Sequence, residues 1–323
     1  MEKGICAICH IPTRSTRYFS VRAEGSLFHY QRCSVCGLVF LDPQPGPEEL
    51  LGYYGRSYYG RGEQKFAGGI EALRFAFART RVSRLQKFLP RSGRALDIGC
   101  GQGTFLQLLR GKGWEVQGTE LTEEPARRAR QAGIPVFLGE IQEGKFGEET
   151  LDLVTLWHVI EHLREPSTVV ERIRLVLKDR GIVAISTPNI ESLQARIFRE
   201  KWFHLDPPRH LYLFSPDTLQ RLMAQAGFRL IRVSHFSMEQ NPYGWLQSSL
   251  NRLTASEGSL YTLLKSQAGD YRRRIEPAMA IHLLLSLGLM PTCLFLAFLL
   301  GWMKREGTME AYFKKEDGFR KQG

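Results

Sequence analysis

The run Ala95-Leu96-Asp97-Ile98-Gly99-Cys100-Gly101-Gln102-Gly103-Thr104 constrains this chain more than any other segment. Five residues read as an apolar strand, glycines follow at every second position, and Thr104-Phe105-Leu106 opens a helix. Glycine there lets the backbone approach a ligand closely, and the free N–H groups of a helix start favour polar or anionic ligand atoms. A dinucleotide loop would need Gly-x-Gly-x-x-Gly, with its third glycine packing the helix and pyrophosphate on the helix end. Here that sixth position is Thr104, which counts against a nicotinamide dehydrogenase.

The surrounding sequence alternates strand and helix in the manner of a doubly wound sheet. Strands are expected at 94–98, 115–119, 135–138, 151–156, 181–186 and 228–236, with a seventh at 308–314. Helices are expected at 70–89, 103–112, 124–132, 167–177 and 216–226, the last capped by Gly227. Glu120 ends the second strand, across the crevice from the glycine loop, where a carboxylate can accept both hydroxyls of a ribose.

Four of the six cysteines fall into two pairs, Cys6-x2-Cys9 and Cys33-x2-Cys36-Gly37. Two residues between cysteines let one tight turn present both sulfurs to a single ion, and zinc takes four such ligands tetrahedrally. A closed four-sulfur site staples a fold and leaves no position for catalysis. Met1–His10 carries Glu2 and Lys3 and runs straight into a cysteine pair, unlike a cleavable leader. A reducing, cytoplasmic setting is therefore expected. The net charge of +11 suits nucleic acid, an anionic membrane surface or a phosphorylated ligand, or a plain solvated surface.

With the acid two residues before its first glycine, the D-x-G-x-G-x-G loop resembles motif I of the class I S-adenosylmethionine-dependent methyltransferases. Leu151–Leu163 (LDLVTLWHVIEHL) is similar to that family's fourth strand and following loop. Closest is the group that carries an N-terminal zinc ribbon and serves polysaccharide and natural-product pathways. Trp202–Leu211 also looks like a feature of that group, and the resemblance covers most of residues 1–237 and the last strand. It implies an α/β fold: a Rossmann-like seven-stranded sheet of order 3-2-1-4-5-7-6 with strand 7 antiparallel. It implies a cofactor set of Asp97, Gly99, Gly101, Gly103, Glu120, Glu140 and Trp157. S-adenosylmethionine and a structural zinc on Cys6, Cys9, Cys33 and Cys36 are the expected cofactors. The division expected is a ribbon at 1–42, a connector and helix at 43–92, a methyltransferase domain at 93–237 plus 307–316, and a hydrophobic helical insertion at 238–306.

Ligands of such sheets bind beyond the carboxyl ends of the strands, so the loops after strands four and five face the reacting group. In the first, His158, Glu161 and His162 are spaced i, i+3, i+4 and share one face of a short helix. They supply a base, or ligands for a divalent ion, or hydrogen bonds at a helix end. Quinone O-methyltransferases of similar sequence carry Glu-x-x-Glu-His here and use a metal, whereas this chain has His158 in the first position. In the second loop His210 offers another base, with Arg209 either gripping an anionic acceptor or pairing with Asp206.

Ala278–Met303 is a run of 26 residues without a formal charge, about 39 Å long as a single helix. That exceeds a bilayer core of roughly 30 Å. If the flanking strands are neighbours in one sheet, both ends of this insertion stay on one side of a membrane. A helical hairpin broken at Pro291 and dipping into the inner leaflet is expected, flanked by Arg272–Arg274, Lys304 and Arg305. A buried lid or dimer face, and a true span, are the alternatives. The acceptor expected is a small molecule, a glycan or a lipid-linked sugar. Nucleic acid is the competing partner, an RNA-binding ribbon protein, hinted at only by Tyr53–Tyr59 with Arg56 and Arg61.

Overall fold

The computed structural model describes residues 6–10, 15–53, 68–254 and 277–319. The 54–59 part of the tyrosine-rich stretch, and Arg272–Arg274, lie outside them.

The N-terminal part forms strands β1 (Ser15–Ala23), β2 (Ser26–Cys33) and β3 (Val39–Leu41), all antiparallel, then helix α1 (Pro47–Gly52). Gly37, with φ 82°, makes the turn after the second cysteine pair. Helix α2 (Gly68–Leu85) leads into the main sheet.

That sheet begins with β4 (Arg94–Ile98), four of whose five residues are buried because the strand is covered on both faces. In chain order follow α3 (Thr104–Arg110), β5 (Glu115–Glu120), α4 (Glu123–Gln131), β6 (Val136–Leu138), β7 (Leu151–Trp157), α5 (Pro166–Val176) and β8 (Leu177–Pro188). Short helix α6 (Leu193–Phe198) and the two-residue strand β9 (Tyr212–Leu213) precede α7 (Pro216–Gln225) and β10 (Phe228–Ser234). Helix α7 starts with Pro216 at its first turn and a capping box between Ser215 and Thr218. Its chain exits through Gly227, whose φ of 74° suits a residue without a Cβ. Two helices, α8 (Asn241–Leu253) and α9 (Pro277–Trp302), precede β11 (Thr308–Lys315).

The seven strands run β10-β11-β8-β7-β4-β5-β6. Only β11 is antiparallel, inserted between β8 and β10, and this is the expected order read from the opposite edge. Strand β8 starts earlier than expected: Leu177 pairs with Leu151, Ile182 with Leu153, and Arg180 at φ 61° turns between them.

Two features depart from the sequence reading. β9, from the loop after β8, pairs antiparallel with β3 and completes a four-stranded sheet with the ribbon. And α9 is one continuous helix through Pro291, not a hairpin broken there. A proline inside a helix costs about 3 kcal/mol. Burial on α8 holds the helix together: His282, Cys293, Ala297 and Leu300 line one buried stripe of α9, spaced at helical intervals. Pro291 itself is exposed, away from that stripe.

Candidate active site

Because β4, β5, β7, β8 and β10 run parallel, their C-terminal ends lie at one edge, and the residues singled out in the sequence gather there. Gly99, Gly101 and Gly103 all have positive φ (67°, 56° and 77°). A Cβ on Gly99 would lie 2.7 Å from Val159 Cγ2, so the loop after β7 rests directly on the glycine turn. A Cβ on Gly101 would meet nothing within 4 Å, leaving that backbone open to a ligand.

Asp97 is buried beside the turn and accepts a 2.6 Å hydrogen bond from Thr155 Oγ1. Burial raises its pKa to about 7, against the pull of that bond and of Arg81. Glu120 faces the turn: Oε2 accepts from Gly101 N at 3.0 Å, and Oε1 from the amides of Leu121 and Thr122 and from the Thr122 hydroxyl. Glu140 is exposed after β6, where burial of part of its carboxyl and the nearby Glu143 raise its pKa. Trp157 packs edge-on against Phe105, at 5.2 Å between centroids, and its buried Nε1 has no hydrogen-bond partner.

Arg81, on α2, was not singled out in the sequence. Its guanidinium sits 4.8 Å above the Trp157 ring, held by Glu239 at 2.7 Å. A signal was present: Arg81 interrupts the buried stripe formed by Ala78, Val82 and Leu85. An arginine on the apolar face of a helix marks a charge that the fold intends to use.

The two histidine clusters merge into one site. The fully buried Glu161 carboxylate accepts from His158 Nδ1 at 3.2 Å, because an ionised carboxylate can only accept. That fixes the tautomer, and His158 Nε2 accepts from Ser186 Oγ at 3.1 Å. Burial raises the Glu161 pKa, but the His158 hydrogen bond and the surrounding imidazoles outweigh it and bring the carboxyl down to about 2. His158 itself adopts φ 56° and keeps part of its ring accessible. His162 donates from Nδ1 to Arg209 O at 2.9 Å and meets the His210 ring edge-on at 4.6 Å. His210 donates from Nδ1 to His204 O at 2.8 Å. Burial lowers His162 to about 4 and His204 to about 3, so both are neutral at pH 7. Arg209 is engaged by Asp206, by Glu24 of the ribbon and by Tyr53 O, which is the pairing alternative.

One ligand atom from each of Glu161, His162 and His210 lies within 4.8 Å of the others, with His158 turned to Glu161 and Ser186 instead. At the ribbon, Cys6 Sγ and Cys36 Sγ are 3.5 Å apart, and Cys9 Sγ and Cys33 Sγ 3.9 Å. Tetrahedral zinc with bonds of about 2.3 Å needs sulfurs roughly 3.8 Å apart, so the four thiols fit that ion.

A model of the methyltransferase domain family matches residues 70–233, half of the chain. The chain belongs to the S-adenosylmethionine-dependent methyltransferases. The open backbone at Gly101 and the unpartnered Trp157 Nε1 fit a nucleoside ligand of the kind this methyltransferase family uses. Among relatives, a ubiquinone biosynthesis O-methyltransferase of Photorhabdus laumondii is 33% identical over 118 residues, 33% of this chain and 49% of that protein. An uncharacterized protein of Methanocaldococcus jannaschii is 24% identical over 157 residues, 48% of this chain and 74% of its own length. A crystal structure of an S-adenosylmethionine-dependent methyltransferase from Archaeoglobus fulgidus is similar at 21% identity and TM-score 0.46, covering 74% of this chain and 94% of that one. The chain spans about half the length of the ubiquinone-pathway relatives it matches.

Proposed function

We propose that this methyltransferase carries a methyl group to an oxygen of a small-molecule, glycan or lipid-linked acceptor, with His158 as the base. The carrying observation is the Glu161–His158–Ser186 chain at the ligand-bearing edge of the sheet. Methyl transfer is an in-line displacement, so an enzyme aligns the acceptor and, for a hydroxyl, takes its proton. Glu161 holds the imbalance in place: its buried carboxylate keeps the Nδ1 proton, aims the ring, and stabilises the imidazolium once Nε2 has taken a proton. Ser186 Oγ already donates to that Nε2, so the acceptor hydroxyl passes its proton to Ser186 Oγ as Ser186 passes its own to His158. His162, which burial keeps neutral, and His210 line the acceptor side, and His210 is a second candidate base. The named O-methyltransferase relatives support oxygen as the target.

Bound S-adenosylmethionine supplies the electrophilic methyl. Asp97, Gly99, Gly101, Gly103, Glu120, Glu140 and Trp157 hold it in this reading, with Arg81 offering a cation beside the indole. Cys6, Cys9, Cys33 and Cys36 hold one structural zinc. The apolar outer face of α9 lies on the inner surface of a membrane: Leu287 and Trp302 are 74% and 84% exposed, with Leu284, Phe295 and Phe298 beside them. Exposed Lys304 and Arg305 close that helix and suit anionic headgroups. Side chains of this size standing in water form a patch that soluble surfaces avoid.

The test is untargeted. Labelled S-adenosylmethionine is offered to a lysate of the source organism with the purified protein. Label should enter a hydroxylated small molecule or lipid, and Asp97→Ala should abolish it. Label found only in RNA would sink the reading.

A further inference from the structure

The ribbon does more than sit beside the catalytic domain. Tyr30 on β2 is completely buried, and its hydroxyl lies 2.9 Å from His210 O and 3.2 Å from Leu205 O, donating one shared proton to both. A further hydrogen bond runs from Leu41 N, at the end of β3, to Leu211 O at 2.8 Å. Beyond it, Val39 and Phe40 pair with Leu213 and Tyr212 as β3 takes up β9. The segment held in this way reaches straight into the histidine cluster. Leu211 N donates to Glu161 O at 2.8 Å, and Arg209 O accepts from His162 Nδ1.

Tyr30 is also three residues from Cys33, which ends β2 and carries one of the four sulfurs. The cysteine turn, the buried tyrosine and the loop bearing His204 and His210 therefore form one mechanical chain. Residues 204–211 have no helix or sheet of their own beyond a single turn at Phe203–Leu205. Such a segment needs outside hydrogen bonds to hold a single conformation.

We infer that the ribbon is the template for the acceptor-side loop, and that Tyr30 is the positioning residue through which its metal-held strands set His210 and Glu161. The inference rests on the reading of that cluster as the acceptor side. It implies that loss of the ribbon metal disorganises acceptor binding while leaving the glycine turn and its ligand intact.

The experiment uses the full-length, zinc-loaded protein and Tyr30→Phe, which keeps the ring and deletes only the hydroxyl. Histidine ring signals are followed by 1H–13C NMR, because the edge-on contact of His162 and His210 gives each a ring-current shift. In Tyr30→Phe both signals should move towards those of free histidine, while that of His29, bonded to Ser20 on the ribbon, stays. Amide exchange of residues 209–213 should quicken by up to about tenfold, the scale of one lost hydrogen bond. Affinity for S-adenosylhomocysteine should change less than about twofold, since the Tyr30 hydroxyl bonds to Leu205 O and His210 O and to no residue of the glycine turn. Treating the unsubstituted protein with a zinc chelator should produce the same movement of His162 and His210. Ser20→Ala serves as the ribbon control and should move only His29.

Unmoved His162 and His210 signals in Tyr30→Phe would overturn the inference, as would a chelated protein with an unchanged loop. So would exchange that quickens equally across the glycine turn, because that would report general unfolding. None of these readouts uses an acceptor, so they stand or fall apart from the lysate labelling.

Discussion

The Thr155 hydroxyl donates a 2.6 Å hydrogen bond to Asp97 across the adjacent parallel strands β7 and β4, where the two residues are register partners. Burial still leaves the Asp97 carboxyl near 7. A carboxyl raised on folding stabilises the native state fully below its ordinary range, and that contribution is lost as pH climbs towards about 7. Unfolding of the ligand-free protein should therefore show a stability component that declines between about pH 4 and pH 7. Asp97→Asn should flatten this slope in urea titrations across that range. A slope identical to that of the unsubstituted protein would assign the pH dependence elsewhere.

His158→Gln and Glu161→Gln test the proposed base. The first removes the proton acceptor and should lower the rate of S-adenosylhomocysteine release by about 10²- to 10⁴-fold. The second leaves the imidazole without its carboxylate, loses the fixed tautomer and should also lose at least about 10²-fold. Binding of S-adenosylhomocysteine by calorimetry should be unchanged in both. Equal losses of binding and rate would make these residues part of the cofactor pocket.

The four sulfurs yield a metal prediction. Elemental analysis should find about one zinc per chain, and Cys33→Ser should remove it. The ribbon is a small sheet with little core of its own, so a metal held there should contribute directly to its folding, and the Tm should fall on chelation. A metal-free protein with an unaltered Tm would contradict this.

Vesicle flotation tests the outer face of α9. The protein should float with phosphatidylcholine–phosphatidylglycerol vesicles, and less with phosphatidylcholine alone, since Lys304 and Arg305 favour anionic headgroups. Replacing Leu284, Leu287 and Phe298 with glutamate should abolish flotation while leaving S-adenosylhomocysteine binding intact. Retention of the triply substituted protein on vesicles would place the contact elsewhere.

Glycine spacing and the strand-helix alternation were enough to draw the central sheet, because both faces of β4 and β7 are buried and write themselves as apolar runs. What escaped was tertiary. The dipeptide of β9 has no alternation of its own and is a strand only because β3 offers an open edge. Pro291 reads as a break, yet the stripe from His282 to Leu300 packs on α8 and carries the helix through it. The histidines were visible by spacing, but nothing in Leu151–Leu163 says that Glu161 is fully buried or that His158 is bracketed by Glu161 and Ser186. Those facts depend on β8 lying beside β7, a relation between residues 28 positions apart.

The antiparallel β11 lies inside the sheet, between β8 and β10, although it follows both of them and α9 in the chain. Until residues 308–315 arrive, β10 has no neighbour to bond with, and the sheet remains open on that flank. During synthesis the long apolar helix thus emerges while the sheet is unfinished, and pairing across such a sequence distance is slow. A chain held at that stage presents the apolar helix unshielded, so aggregation competes with completion of the sheet.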